Sequence, residues 1–169
     1  ASGEYSIAMG RYTEASGYYS TAMGYKTEAS AGFSTAMGRF TTASGEYSIA
    51  MGRFTTASGS YSTAMGESTT ASGEASTAMG TYTTASGSFS TAMGRSTKAS
   101  GSRSTAMGDY TTASDFGSLV IGQYNSSGSI ATSATSADSF STANTAFVIG
   151  NGTSATASDA FKVLFNGDT

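Results

Sequence analysis

The side chains able to do chemistry are few and scattered. The eleven acids are Glu4, Glu14, Glu28, Glu46, Glu67 and Glu74, then Asp109, Asp115, Asp138, Asp159 and Asp168. An active site needs titratable groups that converge in one cleft, and these are dispersed along the chain. There is no His and no Cys. Serine therefore has no evident base to activate it, and the usual zinc and transition-metal ligand sets are missing. Asp115 and Asp159, near turns, come nearest to a hard-cation site, but have too few oxygens clustered around them. The glycines recur with the period of a turn and lack the Gly-Lys-Ser/Thr ending of a phosphate-cradling loop. These residues predict no catalysis, no cofactor and no metal.

Binding is better served. Eight Ala-Met-Gly triplets punctuate the chain, and the residue after each is Arg11, Tyr25, Arg39, Arg53, Glu67, Thr81, Arg95 or Asp109. The next residue is Tyr12, Lys26, Phe40, Phe54, Ser68, Tyr82, Ser96 or Tyr110. Arginine and aromatic side chains are enriched where surfaces bind partners. The candidate outer binding set is therefore Arg11, Tyr12, Tyr25, Arg39, Phe40, Arg53, Phe54, Tyr82, Arg95 and Tyr110. Its partner would be a glycan, a matrix protein or another surface. A second reading of the same ladder is cross-strand stacking that stiffens a rod, with arginine for solubility. The net charge of −3 argues against the basic face that nucleic acid requires. No stretch approaches the ~20 apolar residues of a membrane span.

The elements that must position these residues follow from the methionines. Met9, Met23, Met37, Met51, Met65, Met79, Met93 and Met107 are all the methionines in the chain, and they fall at every fourteenth position. A fixed period means one structural unit repeated along an axis. The unit splits into two related heptads, seen at residues 59–65 and 80–86, each opening on glycine. Tyr, Phe, Thr and Ile favour strands, while glycine supplies the positive φ of tight turns. Glycine at this frequency, with Ser and Thr, argues against a helix or coiled coil. Two strands and two turns in each unit describe one rung of a narrow, all-β solenoid.

Strand alternation then sorts the side chains. Tyr5, Ile7 and Met9 face one way, and Ser6, Ala8 and Gly10 the other; Tyr12 and Glu14 oppose Thr13 and Ala15. The small, nearly constant set suits the interior of a flattened roll. The methionines would then form an apolar stripe in water, which marks an interface. In the opposite reading methionine fills the interior and alanine faces out, since periodicity alone does not say which face is inner.

The eight regular units occupy residues 1–112. Residues 113–169 read as degenerate repeats and a capping or exit segment continuous with the same roll. Counting on from Met107 by fourteens gives Ile121, Thr135, Ile149 and Val163. With the methionines, Ile121, Ile149 and Val163 complete the predicted interface. The stretch at 126–139 breaks the pattern and suggests a slip or an inserted loop. The apolar cluster at 158–169 reads as a closing strand and turn. The chain starts in mid-pattern at Ala1-Ser2-Gly3, as a stretch of a longer fibre would.

Ser-x-Ala-Met-Gly, repeated at this period with an Ala-Ser-Gly second half, resembles the YadA-like head repeats of trimeric autotransporter adhesins. The usual family motif, Ser-Val-Ala-Ile-Gly, is approached most closely by Ser118-Leu119-Val120-Ile121-Gly122 and Ala146-Phe147-Val148-Ile149-Gly150. Methionine replaces the usual aliphatic in all eight regular units. The resemblance implies a left-handed parallel β-roll in which three chains share an axis, as an extracellular, cell-surface adhesive fibre. A second expectation is the receptor-binding tail fibre of a phage or phage-like injection system. A third is ice binding, through the column Thr13, Thr27, Thr41, Thr55, Thr69, Thr83, Thr97 and Thr111, although alternation turns that column inward.

Overall fold

Each rung is built from a five-residue strand, a corner, a two-residue strand and a second corner. The fold is known from a computed structural model, which describes residues 1–126 and 137–169. The first four rungs are β1 (Ile7–Arg11) with β2 (Glu14–Ala15), β3 (Thr21–Tyr25) with β4 (Glu28–Ala29), β5 (Thr35–Arg39) with β6 (Thr42–Ala43), and β7 (Ile49–Arg53) with β8 (Thr56–Ala57). The next two are β9 (Thr63–Glu67) with β10 (Thr70–Ala71) and β11 (Thr77–Thr81) with β12 (Thr84–Ala85). The last two are β13 (Thr91–Arg95) with β14 (Lys98–Ala99) and β15 (Thr105–Asp109) with β16 (Thr112–Ala113). Then come β17 (Leu119–Gln123), β18 (Thr145–Asn151) and β19 (Asp159–Leu164).

The long strands stack into one 11-stranded sheet, parallel from β1 to β18 and closed by β19, and the short ones into a second, parallel sheet of eight. Register is like on like: Ala64 opposes Ala78, Met65 opposes Met79 and Gly66 opposes Gly80. The molecule is a parallel β-solenoid, all strand and without a helix among the described residues.

The core is made of small side chains. Alanines from Ala15 to Ala113 recur at every seventh position with no exposed surface, and Val120 and Val148 continue them. Ser20, Ser34, Ser48 and their repeats line the same space, with Thr27, Thr41, Thr55 and theirs. The threonine column that would have to face ice is thus inside from Thr27 onward. Methionine lies outside the roll, so the opposite reading of the two faces does not hold.

Two expectations about local geometry are corrected. The sequence pattern assigns glycine to the turns and the aromatics to the strands, yet Gly66 lies inside β9 and Tyr61 lies at a corner. Gly66 has φ 118°, and a Cβ there would come within 2.0 Å of the Gly80 carbonyl oxygen on the next rung. The corner residues take a left-handed φ, as at Tyr47 (58°) and Phe40 (56°). Aromatic residues rarely adopt this conformation. What holds them is the neighbouring rung: Tyr47 N–H donates to Gly32 O (3.0 Å), Tyr61 N–H to Glu46 O (2.8 Å) and Phe54 N–H to Arg39 O (3.0 Å). The second strand is also shorter than expected, at two residues.

Beyond β16 the simple count fails. Ile121 pairs directly with Ile149, and Leu119 with Phe147; Thr135 lies outside the described residues. Val163 does not continue the parallel ladder. A turn closed by mutual bonds between Thr153 and Thr156 reverses the chain, and β19 runs antiparallel to β18. Val163 faces Phe147, and Phe161 faces Ile149. The end of the short-strand sheet is closed by a side chain. Asn125 accepts from Thr112 N–H (2.7 Å) and donates to Thr112 O (3.0 Å), replacing the next strand of the ladder. A bare sheet edge would template further pairing, and this amide covers it.

Candidate functional site

Each long strand ends on the residue after Met-Gly, and the following residue turns the corner. By alternation the first of these shares the methionine face, while the second projects from the corner. The two columns meet along one ridge of the rod.

On the first four rungs the ridge is a continuous network of cations and rings. Arg11 lies over the Tyr12 ring at 4.7 Å and donates to the Tyr12 hydroxyl at 3.1 Å. Tyr12 meets Tyr25 edge to face at 5.9 Å, and Tyr25 meets Phe40 likewise at 5.5 Å. Lys26 and Arg39 sit over the Phe40 ring at 5.3 and 5.1 Å. Phe40 stacks on Phe54 at 4.9 Å, and Arg53 covers Phe54 at 4.9 Å. Seven of the ten predicted outer residues are thus brought together, joined by Lys26, which is not in the predicted set. Its place at a corner position, next to Tyr25, is the signal that points to it.

The remaining three divide. Arg95 and Tyr110 form a second group: Arg95 holds Asp109 through two bonds of 2.6 Å and lies over Tyr110, which stacks on Tyr124 at 4.7 Å. The hydrogen bond from Arg95 and its positive charge hold the Asp109 carboxyl below the ordinary aspartate range, and Asp109 raises the Arg95 guanidinium in return. Tyr82 stands apart, with Ser68 and Ser96 above and below it in its column.

A second aromatic column escapes the sequence reading. At the opposite corner Tyr5, Tyr19, Phe33, Tyr47 and Tyr61 stack over five rungs with centroid separations of 4.8, 5.4, 4.8 and 5.2 Å. Tyr18 packs edge-on against it, and a hydrogen bond with Tyr19 holds its phenol above the usual tyrosine range. These rings turn their faces to one another, as a stiffening stack would.

The predicted interface residues lie on one face. Met9 is 56% exposed and the other methionines are half-buried; Ile121 and Ile149 follow Met107 in register. Val163 reaches that face through β19, opposite Phe147.

The two aspartates nearest to a cation site are bonded within the fold. The buried Asp115 carboxylate accepts Thr145 N–H at 2.9 Å, and Asp159 accepts both Ser126 N–H and the Ser126 hydroxyl. Among the described residues no three acidic, His or Cys side chains gather at one point.

No curated protein matches the chain. A family definition does: the YadA head domain repeat, written as two copies of the unit, matches residues 1–27, 15–41, 29–55, 57–83, 85–111 and 99–125. That family is one of structural repeats from the surface-exposed heads of trimeric autotransporter adhesins, not a family of enzymes. With most of its length matched and one rung of the solenoid per repeat, the chain belongs to the YadA head domain repeat family.

Proposed function

We propose that this chain is a segment of an extracellular adhesive fibre in which three copies pack through the methionine face and attach to a surface through the outer corners. One observation carries the reading. The interior of the roll is filled by Ala, Ser and Thr, while the largest regular apolar column, Met9 to Met107 and on to Ile121 and Ile149, stays outside. Burying one methionine is worth roughly 1.5–3 kcal/mol over leaving it exposed. Met23 to Met107 are already half-buried in the single chain, so association adds part of that stabilisation, repeated on every rung. Val163 would extend the seam by way of β19. Homotrimeric fibres are the assembly of this family.

The test is mass in solution. The chain should sediment at three times 16.9 kDa. Met65→Glu, in the middle of the column, should shift it toward the single-chain mass, because three carboxylates would be buried together without partners. A folded, stable single chain at all concentrations sinks the reading.

A further inference from the structure

The acids and bases of the ridge are not evenly mixed. Each of the first four rungs carries one cation there: Arg11, Lys26, Arg39 and Arg53. Further along, the bases are closed by acids one rung on: Arg53 by Glu67 at 2.7 Å and Arg95 by Asp109 at 2.6 Å. Those are the two ion pairs found among the described residues. Arg11, Lys26 and Arg39 are exposed and have no carboxylate of the described residues within ion-pair distance. The acids of the same rungs lie elsewhere: Glu4 and Glu46 at the opposite corner, and Glu14 and Glu28 on the short-strand sheet.

The cations are also held in place. Arg11, Lys26 and Arg39 each lie over an aromatic ring, which positions the charged head while leaving its outer side to solvent. The rings between them are exposed or half-buried. The ridge therefore presents one positive charge per rung, about every 4.8 Å along the rod, with Lys26 in the corner column beside the strand-end arginines and apolar ring edges between the charges.

We propose that this ridge, from Arg11 to Arg39, binds a linear anionic polysaccharide. The inference rests on the adhesive reading above and names the chemical class of its ligand. A line of fixed cations at rung spacing complements a chain of sulfate or carboxylate groups, and the ring edges offer a surface for the C–H faces of the sugars. Duplex DNA suits the ridge less well. It calls for a basic face broad enough to meet two strands, and the net charge of the chain is −3.

The experiment measures binding of the full chain to dextran sulfate, with neutral dextran and duplex DNA as comparison ligands. The chain should bind dextran sulfate, weaken steeply with added salt, and ignore neutral dextran. The triple variant Arg11→Gln, Lys26→Gln, Arg39→Gln should lose affinity by about tenfold or more and flatten the salt dependence by about three charges. Arg11 and Arg39 stand at the edge of the methionine face, so the variant's mass is measured with its affinity; mass and melting temperature should stay unchanged, and an affinity loss that comes only with a loss of mass counts against the ridge. Lys98→Gln, an exposed base on the short-strand sheet away from the ridge, should leave affinity within about twofold.

Unchanged affinity in the triple variant overturns the proposal. So does equal loss from Lys98→Gln, or duplex DNA bound at least as tightly through the same three residues. The two readings separate cleanly. A single-chain mass with binding that still depends on the triple variant removes the trimer and keeps the ridge; a trimer that ignores dextran sulfate does the reverse.

Discussion

At the scale of single residues the interior threonines are the most informative. The Thr69 side chain is fully enclosed, and its hydroxyl has no hydrogen-bond partner among the described residues. A buried hydroxyl without a partner costs roughly 1–3 kcal/mol by comparison with mutational series. Valine has the same shape without that oxygen. Thr69→Val should therefore raise stability by about 1 kcal/mol, read as a higher melting temperature. A lower melting temperature would mean that the hydroxyl is paired in solution. Small residues on the inner face were legible in the sequence because alternation and constancy of size both point to them. The ring-bearing corners were not. Tyr and Phe are strand formers by propensity, and nothing local in Ser-Gly-x-Tyr-Ser announces a left-handed corner. That conformation is set by a bond to the preceding rung, a contact made across a whole repeat rather than within a heptad.

At the scale of the element, each corner balances strain against stacking. A left-handed residue with a Cβ costs about 1–2 kcal/mol, and a stacked aromatic pair returns about 0.5–1.5 kcal/mol beyond the area it buries. Tyr47 stacks on both Phe33 and Tyr61, so its column offsets the strain. Ala75 occupies the same corner at φ 49° with no ring, and Gly117 takes the equivalent place at φ 67°. Ala75→Gly should thus stabilise the fold by about 0.5–1 kcal/mol, after glycine's entropic cost. Tyr47→Gly gains the same relief but breaks two stacks, and should destabilise. Paired denaturant titrations check both; a fall in stability for Ala75→Gly would show that the corner is not strained in solution. The glycines read from the sequence as turn residues belong to this scale too. Gly66 sits in a strand because the next rung's carbonyl leaves no room for a Cβ, a requirement of stacking that spacing alone does not reveal.

At the scale of the whole molecule, the rung is the unit that is added or removed. Deleting residues 57–70 would join Thr56 to Ala71, the residue that Ala57 pairs with on the next rung. Every column stays continuous. The shortened chain should melt in one cooperative transition close to the parent temperature, as expected when rungs contact only their neighbours. Deleting residues 57–63 removes half a rung and moves every later methionine to the position of Ser58 and its repeats, just past the short strand. That chain should lose its cooperative melt. Circular dichroism of both variants decides the matter, and a half-rung deletion that melts like the parent would contradict the two-sheet architecture. The repeat period made this architecture readable before any coordinates. The C-terminal part was not readable by counting, because the turn at residues 153–156 reverses the chain and β19 adds to the sheet in the opposite sense.

The stacking of one rung per repeat also sets how far the chain reaches. Each unit advances the rod by about 4.8 Å, whereas the same stretch of chain wound as a helix would advance about 21 Å. If distance from an anchoring surface were the only need, this fold would use far more chain than the task requires. What the extra chain supplies is girth: two sheet faces and two corners on every rung, each carrying positions free to vary without disturbing the core. The solenoid exchanges reach for displayed area, which is the geometry of a head rather than of a stalk.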